Sequence, residues 1–224
     1  MHPYAHATSS AAIHGGSAVD FFPFHAWFDV SKMELSFFTH RALRHHLEGV
    51  MVAATRFGSE YVTPSGLAVS TTELGMQHLD EDCTIRPTAS DWLRELKRPE
   101  WLPDWCDDTQ AMAEREAVGL QVEPGDLMPV YQWFVETSTW HDDSRHLAMR
   151  HHAFGIFEAE QVFGPVIQAA NGLVLPTRYI AERYVRLVLG RVPTASDWLR
   201  RITGRKWMAK QMVPPALPPW AEFS

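Results

Sequence analysis

Cysteine is nearly absent: the 224 residues include two, Cys83 and Cys106, too few for a disulfide scaffold. Long apolar runs are missing as well. No stretch approaches the length that spans a bilayer, so no membrane association is expected, and the opening MHPYAHATSS lacks a charged segment followed by an apolar one. The expected location is the cytoplasm. Basic charge is in deficit, with 20 Lys and Arg against 27 Asp and Glu for a net charge of −7. Such a field repels phosphate backbones, and nucleic acid is not an expected partner. The basic run Arg200, Arg201, Arg205, Lys206 and Lys210 reads as a solvated helix end. There is no nucleophile elbow, phosphate loop, dinucleotide fingerprint, HExxH or CxxC, so acyl transfer, NTP use and Rossmann chemistry lack support.

What the chain does contain is itself, twice. His40, Ala42, Arg44, His45, His46 and Gly49 return as His146, Ala148, Arg150, His151, His152 and Gly155, each 106 residues later (146 − 40 = 106). The same register pairs Asp20 with Asp126, Pro23 with Pro129, Trp27-Phe28 with Trp133-Phe134, Phe57-Gly58 with Phe163-Gly164 and Gly66-Leu67 with Gly172-Leu173. PTASDWLR occurs at 87–94 and again at 193–200. A duplicated unit is an internal control, since what both copies keep separates from what one copy alone carries.

The expected fold is mainly α with minor β: two tandem, pseudo-symmetric helical units, an internal pseudo-dimer within one chain. Each unit is expected to carry a long histidine-bearing helix (from about Lys32 or Ser138 to Phe57 or Phe163) stopped by Gly58 or Gly164. A short β-hairpin follows around Ser65-Gly66 or Asn171-Gly172. Two further helices complete the unit, the second opened by Thr or Ser of PTASDW with Asp91 or Asp197 at its positive end. The boundaries are an N-terminal arm at 1–17, a first unit at 18–102, a linker at 103–124, a second unit at 125–208 and a Pro-rich tail at 209–224. Leu217, Trp220 and Phe223 in that tail suit either docking on a neighbour or a frayed end.

On a continuous helix, His40 and His46 flank the apolar stripe of Leu43, Leu47, Val50, Ala54 and Phe57, and His45 points away. The second copy repeats this with His146, His152 and His151. Only the first copy has companions for a site: His25 and Asp29 beside Trp27-Phe28, and Gln77, His78, Glu81 and Asp82 on the following helix. At those positions the second copy has Tyr131, Val135, Arg183, Tyr184, Leu187 and Val188. Loss of a site on a retained scaffold has this pattern. The candidate metal ligands are therefore His25, His40, His46, His78 and Asp82, a mixed N/O set suited to Zn, Mn or Fe. Asp29 and Glu81 are the candidates for moving protons. His2 and His6 either cap that site or lie on a free arm. The competing reading makes the histidines core residues bonded to backbone carbonyls or carboxylates.

The pattern HPYxH, HxWFDxSK, HRALRHHxEG, QHxxED and PTxxDWL resembles an uncharacterised family of small bacterial and phage proteins in which one unit makes a whole protein. The first copy follows the pattern almost throughout; the second departs at Tyr131, Val135, Leu147 and Tyr184. The resemblance implies the unit and places the site in the first copy, without implying a reaction. Two functions remain open from the sequence: a metal-binding protein with one His/carboxylate site, hydrolytic if the ion activates water, or a non-enzymatic phage or mobile-element protein that binds a host protein.

Overall fold

In the computed structural model, residues 2–104 and 108–210 are described. Cys106 and the tail beyond Lys210, with Leu217, Trp220 and Phe223, lie outside them. The first unit runs α1 (Pro3–His14), α2 (Ala18–Asp29), two 3-10 turns (Val30–Met33 and Phe38–Leu43), α3 (Leu47–Phe57), the strands β1 (Glu60–Val62) and β2 (Ala68–Ser70), α4 (Thr71–Asp82) and α5 (Ala89–Arg94). The second repeats the order: α6 (Thr109–Leu120), α7 (Pro124–Val135), two 3-10 turns, α8 (Ala153–Phe163), β3 (Val166–Gln168), β4 (Val174–Pro176), α9 (Thr177–Leu189) and α10 (Ala195–Leu199). The fold is mainly α, and its only sheets among the described residues are two antiparallel hairpins, with Tyr61 opposite Val69 and Ile167 opposite Leu175. No helix among the described residues is long and apolar enough to cross a membrane.

Local chemistry explains these boundaries. Thr88 Oγ1 accepts from Asp91 N–H while the Asp91 carboxylate accepts from Thr88 N–H, and Thr194 and Asp197 make the same reciprocal cap. Gly66 and Gly172 turn the hairpins at φ of 88° and 87°, where a side chain would be strained. The segment 1–17 has no sequence likeness to its counterpart, yet most of it forms α1, which starts at the position equivalent to α6. His2 Nδ1 caps α1 by accepting from Tyr4 N–H, and Asp108 caps α6 by accepting from Gln110 N–H.

The expected long helix is a correction. Residues 38–43 wind as a 3-10 turn, Arg44 leaves the helical region at φ −142°, and the α-helix begins only at Leu47. The second copy breaks in the same place, at Arg150 with φ −135°. Gly49 shows why: a Cβ there would lie 2.0 Å from Arg44 O, and one at Gly155 would lie 1.8 Å from Arg150 O. The chain folds back on itself at this point so tightly that only glycine fits.

Three apolar clusters hold the molecule together. Phe21, Phe24, Phe28, Leu74 and Leu79 centre the first unit, and Leu127, Tyr131, Phe134, Ile180 and Tyr184 centre the second. The third, with Leu43, Trp92, Phe154, Leu199 and Met208, is shared between units. The contact between units is self-complementary. Leu96 bridges Ile202, its own equivalent, and the flanking bonds, Lys97 N–H to Arg201 O and Thr203 N–H to Glu95 O, exchange under the 106-residue shift. The ring contacts Trp92–Trp207 and Trp101–Trp198, with centroids 4.8 and 4.7 Å apart, exchange likewise. A twofold-like axis therefore passes near Leu96 and Ile202.

Candidate metal centre

Three helices each contribute two residues one turn apart, and hence on one face: His6 and Ser10 from α1, His25 and Asp29 from α2, His78 and Asp82 from α4. All six are buried. The turn at 44–46 adds His45, also buried, whose Nε2 lies 2.9 Å from His78 Nε2, 3.2 Å from Asp82 Oδ2 and 3.5 Å from Asp29 Oδ1. Two donor groups could hold an ion, His6–His25–His78 and Asp29–His45–His78–Asp82, each with its ligand atoms within 4.8 Å of one another.

Hydrogen-bond direction separates these groups. Glu81 accepts from Gln77 Nε2 at 2.8 Å, which turns Gln77 Oε1 toward the Ser10 hydroxyl at 2.9 Å. Ser10 has one hydrogen and donates it to Gln77, so His25 Nε2, 2.8 Å from the same oxygen, must donate to Ser10. Burial, followed by the nearby His6, pushes the His25 pKa down to about 3, so its ring is neutral and its Nδ1 is bare. His78 Nδ1, 2.9 Å away, has to supply the proton for that contact. Burial and the neighbouring His6 and His45 also hold His78 well below the ordinary imidazole range. Its Nε2 therefore carries a lone pair, pointed at His45, with Asp82 Oδ2 3.7 Å away. The relay running Glu81, Gln77, Ser10, His25 consequently orients His78 as an outer layer does for a metal-bound imidazole.

The carboxylates are held ionised. Burial opposes the charge on Asp29, but its contacts with His40 and His45 prevail and keep its pKa well below the usual range; Lys32 Nζ adds an ion pair at 2.8 Å. Burial likewise opposes the charge on Asp82, and hydrogen bonds from His45 and His6 overcome it. Arg41 Nη2 lies 2.7 Å from Asp82 Oδ1, and its Nη1 donates to the carbonyls of Asp82 and Met208. Met208 comes from the second unit, whose 3-10 turn Lys206–Met208 thus reaches the Asp82 carboxylate through Arg41. His6 is shifted the other way: burial lowers its pKa, but bonds to Asp82 and Glu81 raise it overall, and its Nδ1 is 2.5 Å from Glu81. Asp29 Oδ2 and His45 Nδ1 are buried without a hydrogen-bond partner among the described residues.

Of the residues expected as ligands, His25, His78 and Asp82 converge here. His40 stands beside them, donating from Nδ1 to Phe37 O at 2.8 Å and turning Nε2 toward Asp29 at 3.4 Å. His46 does not join: its Nδ1 accepts from Gly49 N–H at 3.0 Å and caps α3, as His152 caps α8. Asp29 falls among the ligand atoms, and Glu81 at the partly exposed end of the relay. His45, placed outward by the helical wheel, is central because the backbone breaks at Arg44. The available signal was His46 followed three residues later by a glycine in both copies, which marks a helix start, not a helix middle.

The family model described as a domain of unknown function (DUF6915) matches residues 1–102 and again 110–208. The chain belongs to this family, with two units in tandem. No curated protein and no solved structure matches it. Both DUF6915 matches extend across the first helix of the unit, α1 or α6, and in the first unit that helix supplies His6 and Ser10.

Proposed function

We propose that the chain is a metal-binding protein with one centre, in its first unit, and that Asp29, His45, His78 and Asp82 hold the ion. What carries this reading is the unprotonated His78 Nε2 facing His45 Nε2 and two ionised carboxylates inside the protein. Three acceptors, the His78 lone pair and the carboxylates of Asp29 and Asp82, converge on the one proton that His45 Nε2 can offer, and buried acceptors sharing one proton are costly unless a cation takes its place and joins them. Charge favours this group over His6–His25–His78, because two carboxylates neutralise a divalent ion and the three histidines do not. Two imidazole nitrogens and two carboxylate oxygens suit Zn, Mn or Fe. His25 and Ser10 then orient His78, and Lys32 and Arg41 restrain the carboxylates. A hydrolytic ion needs a coordination position open to water. Burial of all four ligands supports a closed centre that fixes α2, α4 and the 44–46 turn to one another.

The test is elemental analysis of untagged protein with variants. About one divalent ion per chain is expected, lost in His78→Ala and Asp82→Asn and kept in His152→Ala. His25→Phe should weaken retention about 10- to 100-fold without abolishing it, as loss of an outer-layer partner does. A folded wild type without metal after growth in metal-supplemented medium refutes the centre; equal loss from His25→Phe and His78→Ala refutes the division into ligand and outer layer.

A further inference from the structure

The 44–46 turn has a second face. While His45 turns into the buried centre, Arg44 and His46 line a cleft of about 850 Å3 between the two units. Its walls come from equivalent positions on both sides, Trp27 and Trp133, Leu43 and Met149, Arg44 and Arg150. Arg44 lies 4.1 Å over the Trp27 ring and Arg150 4.1 Å over Trp133. Each of these arginines already has a carboxylate, Glu158 at 2.5 Å for Arg44 and Glu136 at 2.7 Å for Arg150.

The symmetry fails at the other charges: Glu136, Glu158 and Arg56 have Val30, Val52 and Val162 as their counterparts. Arg56 also lines the cleft, its counterpart is Val162, and it has no ion pair among the described residues. Its guanidinium is held 5.7 Å from the Phe57 ring. The lining therefore has three arginines against two glutamates, Glu136 and Glu158, an excess of one positive charge in a chain whose net charge is −7. A mostly apolar cavity at a junction between units, with aromatic walls and a few placed polar groups, is the usual form of a small-molecule site, and this volume lies within the usual range of roughly 300–1,000 Å3.

We propose that the cleft binds a small amphiphilic anion, with its carboxylate, phosphate or sulfonate on Arg56 and a flat apolar body against Trp27, Trp133 and Trp140. None of Asp29, His45, His78 and Asp82 lines the cleft, so this binding is expected whether or not those residues hold an ion.

Two dyes that share one ring system test it: anilinonaphthalene sulfonate, which is anionic, and phenyl-naphthylamine, which lacks the sulfonate. Titration of the folded protein should show one sulfonate dye per chain, bound at least tenfold more tightly than the neutral dye. Arg56→Gln should weaken the sulfonate dye about tenfold, the effect of a lost charge-assisted contact, and leave the neutral dye unchanged. Val52→Trp should put an indole into the cleft and weaken both dyes at least tenfold; Thr55→Trp, at an exposed lining position, gives the same reading if Val52→Trp does not fold. Equal affinity for the two dyes, an unaffected Arg56→Gln, or dye binding unchanged in a folded indole variant overturns the proposal. Arg86→Gln, which removes an exposed arginine paired with Asp80, should change nothing.

Discussion

Tyr131 and Tyr184 stand where the first unit has His25 and His78, and the two tyrosine rings meet at 4.4 Å much as the two histidines do at 5.1 Å. Around them the exchange is systematic. Met112 replaces His6, Val135 replaces Asp29, Leu147 replaces Arg41 and Val188 replaces Asp82. The uncharged Ser10–Gln77 bond becomes the Glu116–Arg183 ion pair. The second unit keeps the same order of helices and hairpin, so this scaffold folds with an apolar centre. The polar centre of the first unit is therefore not required by the fold, and burying it has a cost that something else must offset. His151 marks the transition. It keeps the place of His45, but both ring nitrogens are buried without a hydrogen-bond partner among the described residues, beside Phe134 at 5.2 Å and Tyr184 at 5.7 Å.

If the scaffold is common to both copies, damage to it should be symmetric. Gly49→Ala and Gly155→Ala each drive a methyl group into a backbone carbonyl, at 2.0 and 1.8 Å, and neither carbonyl is the end of a flexible side chain. Each should cost about 4 kcal/mol or more, at the upper end for single substitutions, measured as a shift in the urea midpoint. A large loss in one copy and none in the other would break the equivalence on which the comparison rests.

Acid should act next most strongly. Burial pushes His146 and His152 down to about 4, whereas both titrate near 6.5 once unfolded. Between those values the unfolded chain binds more protons, so stability falls as pH is lowered from about 6.5 and levels off below about 4. For the fully buried His152 the loss is about 3 kcal/mol, read from chemical denaturation at stepped pH. Denaturation midpoints that stay flat across this window would show these rings to be exposed. His151, which burial also holds well below its ordinary range, allows a sharper comparison. His151→Leu removes two unpaired ring nitrogens and should stabilise by about 2 kcal/mol, with a larger gain at pH 5 than at pH 7. In the first unit, His45→Leu should instead remove bound metal.

Much of this was legible in the sequence because it depends on local rules. The repeat, the hairpins at Ser65-Gly66 and Asn171-Gly172, the caps of PTASDW and the placing of polar companions in the first copy needed only spacing and residue type. Two things were not. A helical wheel assumes one unbroken helix, so the 3-10 turn and the break at Arg44 reversed His45 and His46, and that break is enforced by a tertiary contact between Gly49 and the Arg44 carbonyl. The N-terminal segment was obscure for a related reason. α1 and α6 share position without sharing residues, since one packs His6 and Ser10 against a polar centre and the other Met112 and Ala113 against an apolar one.

The smallest effect bears on the residue that the sequence placed among the ligands and the structure placed at a helix end. His46→Ala and His152→Ala each remove a side chain that accepts from the third residue beyond it, Gly49 N–H at 3.0 Å and Gly155 N–H at 2.9 Å. Each should cost about 1 kcal/mol, the usual value of such a cap, and asparagine at either position should restore most of it. Because the capping role is the same in both copies, bound metal should be unchanged in both alanine variants. If His46→Ala lost its ion while His152→Ala merely lost stability, His46 would belong to the centre after all, and the four-ligand set would have to be redrawn around it.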